Sequence, residues 1–102
     1  MKVYYVYILL CADNSFYTGM TNNLERRILE HKSGKIKSSY TNSRLPIELK
    51  WYLECLDPRD AIQLEKKIKG WSRRKKQALI DENWQNLIKF SKNYTQNKDS
   101  RM

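Results

Sequence analysis

Three side chains, Arg27, His31 and Glu65, stand out because packing alone does not account for them. Arg27 and His31 are four residues apart, so on a helix they lie together, beside a stripe that Leu24 and Ile28 define. Two basic groups at that spacing repel mildly and do nothing for the helix itself. They are either an ordinary solvated flank or part of a site. Glu65 follows Ala61 by four residues and precedes Ile68 by three, at the edge of an apolar stripe read as Ala61, Ile62, Leu64, Ile68 and Trp71. A carboxylate buried there without a partner is costly, so it calls for a metal ion or a cation, such as an arginine at the rim. Tyr7 and Tyr17 belong to a crowd of tyrosines that includes Tyr4 and Tyr5. Tyrosine forms strands well, and sheet packing accounts for most of them. Gly19 is different, because a glycine within a strand weakens it and marks a close approach by a ligand or another backbone.

The segment from Lys66 to Lys76 carries Lys66, Lys67, Lys69, Arg73, Arg74, Lys75 and Lys76. That density suits a surface that tracks phosphates, or a solvated helix face. The whole chain carries +9 over 102 residues, which favours a polyanionic partner. Hydrophobic residues at 40% exclude a disordered chain, while 3 glycines and 2 prolines exclude collagen-like and low-complexity designs. Two cysteines without a C-x-x-C pair, and one histidine, argue against a disulfide scaffold or a structural zinc site. The longest apolar run, Val3 to Ala12, has about half the length of a membrane span. Asp13-Asn14 then stands where a signal peptide would place small residues. A cytoplasmic protein with reduced thiols and no membrane partner is expected.

These residues must be positioned by a short series of elements. Val3 to Cys11 is apolar at both parities, as a central strand covered on both faces requires. Turn chemistry at Asp13-Asn14-Ser15 and a strand from Phe16 to Met20 complete a hairpin. A helix from about Asn23 to Ser33 follows, with Asn22 and Glu25 as a capping box and Gly34 at its end. Lys35 to Arg44 reads as a basic surface loop. Ile47 to Cys55 alternates strictly, placing Ile47, Leu49, Trp51, Leu53 and Cys55 on one face. Asp57-Pro58 opens a helix to about Trp71, and helices near Ser72–Ile80 and Trp84–Phe90 come next. Residues 91–102 read as a polar, flexible tail behind a single domain over 1–90. The order β-β-α-β-α-α predicts a small mixed α/β (α+β) domain, a mainly antiparallel three-stranded sheet with helices packed on it.

Tyr5-Val6-Tyr7, with Tyr7 ten residues before Tyr17, then Tyr17-Thr18-Gly19, Asn22-Asn23-Leu24, Arg27, His31 and Glu65, resembles the signature of the GIY-YIG nucleases. Ser39-Tyr40-Thr41 followed by Leu45-Pro46 matches too, and the resemblance runs from about Val3 to Leu79. In particular the chain resembles the short, stand-alone bacterial proteins of that superfamily. The resemblance implies a metal-dependent DNA endonuclease, with a role in repair or recombination. It places Tyr17 where a tyrosine activates water, Tyr7 as its companion, Arg27 on the phosphate, and Glu65 as the carboxylate for Mg²⁺ or Mn²⁺. His31 matches a histidine present in some branches.

That chemistry is coherent. Mg²⁺ takes one or two carboxylates together with water and phosphate oxygens, so one glutamate suffices. A free tyrosine titrates near 10, so a tyrosine base needs cations beside it. Expected nucleic-acid contacts are Gly19, Lys35, Lys37, Tyr40, Arg44, Lys66, Lys69, Arg73 and Arg74. DNA is the expected partner, RNA the alternative, and a protein partner would supply specificity in place of a second DNA-binding domain. The pattern departs from the family's at Tyr5, where the first motif has glycine, and at Met20, where some relatives place a lysine. The competing readings are a binding module of the same fold with little cleavage, and an interaction protein in which Glu65 is merely paired. Register supplies an internal condition. Tyr7 and Tyr17 share a sheet face only if the hairpin loop has an odd length or carries a bulge.

Overall fold

The computed structural model describes residues 3–35 and 40–81. Lys37, the helix expected near 84–90 and the tail 91–102 lie outside the described residues. Three strands, β1 (Tyr4–Leu10), β2 (Phe16–Thr21) and β3 (Glu48–Cys55), form one antiparallel sheet in the order β2-β1-β3. Helix α1 (Leu24–Ser33) lies between β2 and β3 in the chain, and α2 (Pro58–Lys69) and α3 (Arg73–Ile80) follow. The expected α+β class and element order are therefore observed.

The central strand is apolar at both parities because both of its faces are covered. Val6, Ile8 and Leu9 are fully buried and Tyr7 almost so. Tyr7, Leu9, Cys11 and Ile47 form one core cluster, onto which α1 lays Leu24 and Ile28. Helix α2 packs against all three strands. Burying side chains of this size stabilises the fold by roughly 1.5–3 kcal/mol each.

Local signals set the helix ends, with small corrections. The N-cap of α1 is Asn23, whose side-chain oxygen accepts the Arg26 N–H, rather than Asn22. Gly34 closes the helix at φ 73°, in the left-handed region that favours glycine. Asp57 caps α2 with proline in its first turn, as read from the sequence. That helix ends at Lys69, so Trp71 is not on its buried face, and Ile62 is 42% exposed. The buried positions of α2 are Ala61 and Ile68, a narrower stripe than the pattern suggested.

Strict alternation in β3 fails at one point. A bulge between the partners of Ile8 and Leu9 pairs Ile8 with Trp51 but Leu9 with Leu49, leaving Lys50 extra. Leu49 therefore faces the side of Tyr7 and Leu9, while Trp51, Leu53 and Cys55 face the side of Ile8 and Val6. One inserted residue splits an apolar set that the sequence places on a single face.

Compactness divides the chain after Gly70. In the second unit, Ser72 caps α3 by accepting the Lys75 N–H, and the Lys75 ammonium lies 4.3 Å from the Trp71 ring centre. Among the described residues no helix is long and apolar enough to cross a membrane.

Candidate active site

The hairpin loop between β1 and β2 runs from residue 11 to 15, an odd length. Asn14, at φ 70°, makes its tight turn; the Cys11 N–H donates to the Ser15 carbonyl across it and the Asn14 N–H to the Cys11 carbonyl. The resulting register sets Tyr7 opposite Gly19 and Leu9 opposite Tyr17. Residues two apart share a face, so Tyr7, Gly19 and Tyr17 point to one side. The condition stated from the sequence is met.

Gly19 is needed there for a steric reason. A Cβ at that position would stand 2.6 Å from the Tyr7 hydroxyl oxygen and 2.7 Å from its Cζ. The close approach is by the Tyr7 side chain, not by a backbone, and it leaves Gly19 buried beneath that ring.

Tyr7 is the centre of the site. Its ring centre is 6.3 Å from that of Tyr17 and 5.9 Å from that of His31, and the Tyr17 and His31 centres are 5.4 Å apart. The Tyr7 hydroxyl is hydrogen-bonded to His31 Nε2 at 3.0 Å, and His31 Nδ1 to the Thr41 hydroxyl at 2.7 Å. His31 is 1% exposed, so it is no solvated helix flank. Burial, and then the nearby Arg27 cation, hold its pKa below the usual 6.5, so the ring is neutral at pH 7. Burial pushes the Tyr7 hydroxyl up to about 12, with Tyr17 beside it and the Glu65 carboxylate adding to the effect against the pull of Arg27. Tyr7 therefore keeps its proton at neutral pH. Tyr17 is half-buried and retains access to solvent.

Arg27 reaches the same place from α1. Its Nη1 donates to Glu30 at 3.3 Å, while its buried Nε has no hydrogen-bond partner among the described residues. The guanidinium, beside Tyr7 and partly exposed, is suited to an anionic oxygen. Glu65 reaches the site from α2, close enough to act electrostatically on the Tyr7 hydroxyl. Its side chain is 18% exposed and pairs with Lys69 Nζ at 3.2 Å. The partner is thus a lysine one turn on, not an arginine at the rim.

Among the described residues no group of three or more His, Cys, Asp or Glu side chains could enclose a metal ion. A single carboxylate, open on one side, suits a hard ion that keeps water and takes phosphate oxygens, and does not suit zinc or calcium. The residues present therefore fit Mg²⁺ or Mn²⁺ once Lys69 moves aside.

Two contributors carried little sequence signal. Thr41 lies in a polar loop ten residues from His31, and only its place in the Ser39-Tyr40-Thr41 match hinted at it. Glu30 stands three residues after Arg27, a spacing at which a carboxylate and an arginine meet on any helix. Of the expected nucleic-acid contacts, Tyr40 stacks on Tyr17 with ring centres 6.0 Å apart. Arg44 is occupied in holding it. Its guanidinium lies 3.8 Å from the Tyr40 ring centre, donates to the Tyr40 carbonyl at 2.8 Å and pairs with Asp13 at 2.9 Å. Lys35, Lys66 and Lys69 are exposed, and so are Arg73 and Arg74 in the first turn of α3.

Comparison with known proteins matches residues 3–78 to the GIY-YIG catalytic domain. The chain is 46% identical over 80 residues to a UPF0213 protein of Bacillus pumilus, covering 78% of this chain and 80% of that one. A UPF0213 protein of Haloquadratum walsbyi is 45% identical, with 78% and 88% covered. The solution NMR structure of a UPF0213 protein of Bacillus halodurans is 42% identical at a TM-score of 0.52, with 78% and 83% covered. A second NMR structure, of a protein from E. faecalis, is 31% identical at a TM-score of 0.56, with 80% and 86% covered.

Proposed function

The chain belongs to the GIY-YIG catalytic domain family, and from that premise we propose that it is a metal-dependent endonuclease that hydrolyses phosphodiester bonds in DNA. The observation that carries this reading is the convergence of Tyr7, Tyr17, Arg27, His31 and Glu65 from two strands and two helices. Binding alone needs no carboxylate near Tyr7 at a buried edge.

The geometry supports the following roles. Arg27, whose side chain is 37% exposed, presents its guanidinium to a non-bridging oxygen of the scissile phosphate, where charge builds up in the transition state. Tyr17, the more accessible tyrosine, acts as a phenolate that has given its proton to solvent. It takes a proton from the attacking water as the new O–P bond forms and the bond to the 3′ oxygen breaks, and the leaving oxygen is protonated by solvent. Tyr7 keeps its proton and, with His31, holds the position of the Tyr17 ring. Glu65 would hold the divalent ion, which when bound would supply charge stabilisation at the leaving oxygen. A place in DNA repair or recombination would suit this activity.

One observation favours the second reading, a nucleic-acid-binding module with little cleavage. Lys69 already neutralises Glu65. The experiment that separates the two is cleavage of labelled single-stranded, duplex and branched DNA with Mg²⁺ or Mn²⁺, comparing wild type with Glu65→Gln and checking the fold of both. Metal-dependent cuts that Glu65→Gln loses support the nuclease. Salt-sensitive binding by both proteins with no cuts by either supports the module.

A further inference from the structure

On the same face as Tyr7, a groove of 540 Å³ opens between α1 and the sheet. Leu24 and Ile28 from α1 and Leu49 from β3 contribute its apolar lining. Tyr5 and Tyr52 add two aromatic rings, 6.1 Å apart and at 65° to one another. Tyr52 is 53% exposed although it sits in a sheet, so it leaves ring surface uncovered. Asn22 lies at the helix end of the groove, and its side chain makes no hydrogen bond among the described residues.

Charge narrows what this groove takes. Among the described residues lining it there is no lysine or arginine, and Glu25 is the charged one. A phosphate or another anion would be repelled here. A flat, neutral group with polar edges would stack on the rings and meet the amide, and a volume of this size is ordinary for such a ligand. The position narrows it further. Tyr52 is paired with Tyr7 directly across β1 and β3. Residues so paired are about 4.5–5.5 Å apart at Cα, a span one nucleotide covers. The Tyr7 ring leans over Gly19 on β2, away from that strand.

We infer that this groove is a subsite for one unpaired nucleobase next to the scissile phosphate, stacked on Tyr52 and Tyr5 and hydrogen-bonded by Asn22. The inference rests on the reading of the chain as a nuclease only in taking a nucleic acid as its substrate. It selects strands with an accessible base, such as single strands, flaps or flipped-out nucleotides, over uninterrupted duplex.

Metal-free binding tests it without calling on cleavage. The probes are a short labelled oligothymidylate and an abasic oligonucleotide of the same length, read by fluorescence anisotropy in EDTA. Wild type should bind the base-bearing strand about tenfold more tightly than the abasic one, in line with stacking on an aromatic side chain. Tyr52→Ala should bring that ratio close to one without altering abasic binding, and Tyr52→Phe should preserve it. Equal binding of both strands by wild type, or a ratio that Tyr52→Ala leaves intact, overturns the subsite. So does sedimentation as a dimer that Tyr52→Ala dissociates, because a second copy would then fill the groove. Cleavage with Mg²⁺ is scored separately. Cuts without base preference overturn the subsite and keep the nuclease, whereas base preference without cuts does the reverse.

Discussion

The Tyr7 hydroxyl and the Thr41 hydroxyl lie on opposite sides of one imidazole, 3.0 Å from Nε2 and 2.7 Å from Nδ1 of His31. A neutral histidine donates from one nitrogen and accepts at the other. Because a hydroxyl can do either, both tautomers are satisfied. Either Tyr7 donates to Nε2 while Nδ1–H donates to Thr41, or Nε2–H donates to Tyr7 while Thr41 donates to Nδ1. The three groups therefore form a chain along which protons can shift together, and Thr41 holds the ring in the plane that serves Tyr7.

Thr41→Val tests that position. It keeps the shape and removes the hydroxyl, leaving a buried ring nitrogen unsatisfied, which costs about 1–3 kcal/mol. Thermal unfolding should show the loss, and cleavage should fall with it. Thr41→Ser should restore both. Nitrogen NMR of the ring should show one tautomer gaining over the other in the valine variant.

Gly19→Ala forces a Cβ into the space that Tyr7 occupies. The Tyr7 ring must move, which should cost about 1–3 kcal/mol of stability, as overpacking does. The 3.0 Å bond to His31 should break as well. Cleavage should fall much further than the change in stability accounts for. A folded alanine variant with wild-type activity would show that Tyr7 need not lie across residue 19.

His31 makes stability depend on pH in a definite direction. Its folded pKa lies below the unfolded value of 6.5, because burial and Arg27 disfavour the charged ring. As pH falls the unfolded chain takes up the proton first. The contribution is therefore complete above 6.5 and is lost as pH drops from there through the folded pKa. Melting temperatures of wild type should fall across this window, and those of His31→Phe should fall less. Parallel curves for the two proteins would contradict the assignment.

Lys69→Ala should free the Glu65 carboxylate. The ion pair is partly exposed and worth roughly 0.3–0.5 kcal/mol, so Mn²⁺ should bind about twofold more tightly in the variant. Electron paramagnetic resonance of free Mn²⁺ gives the comparison directly. Unchanged affinity would mean that the lysine does not compete for that carboxylate.

Much of this protein was readable from residue order. The apolar run of β1 marked a strand covered on both faces, and Asp57-Pro58 and Gly34 marked helix ends, because backbone preferences and caps act over a few residues. The residue types of the site were also visible, since Arg27, His31 and Glu65 sit where packing gives no reason for them. The sequence even stated the parity that the hairpin must have.

What it left open was decided by contacts between distant segments. The odd loop at 11–15 put Tyr7 and Tyr17 on one face, and the extra residue at Lys50 divided the apolar residues of β3 between two faces. Neither follows from periodicity, because a bulge depends on how one strand fits its neighbour. The burial of His31 between Tyr7 and Thr41 required a strand, a helix and a loop to meet. Helical spacing alone allowed that histidine to face solvent. Local chemistry therefore determined the elements and the kinds of group available, and tertiary packing determined which groups touch.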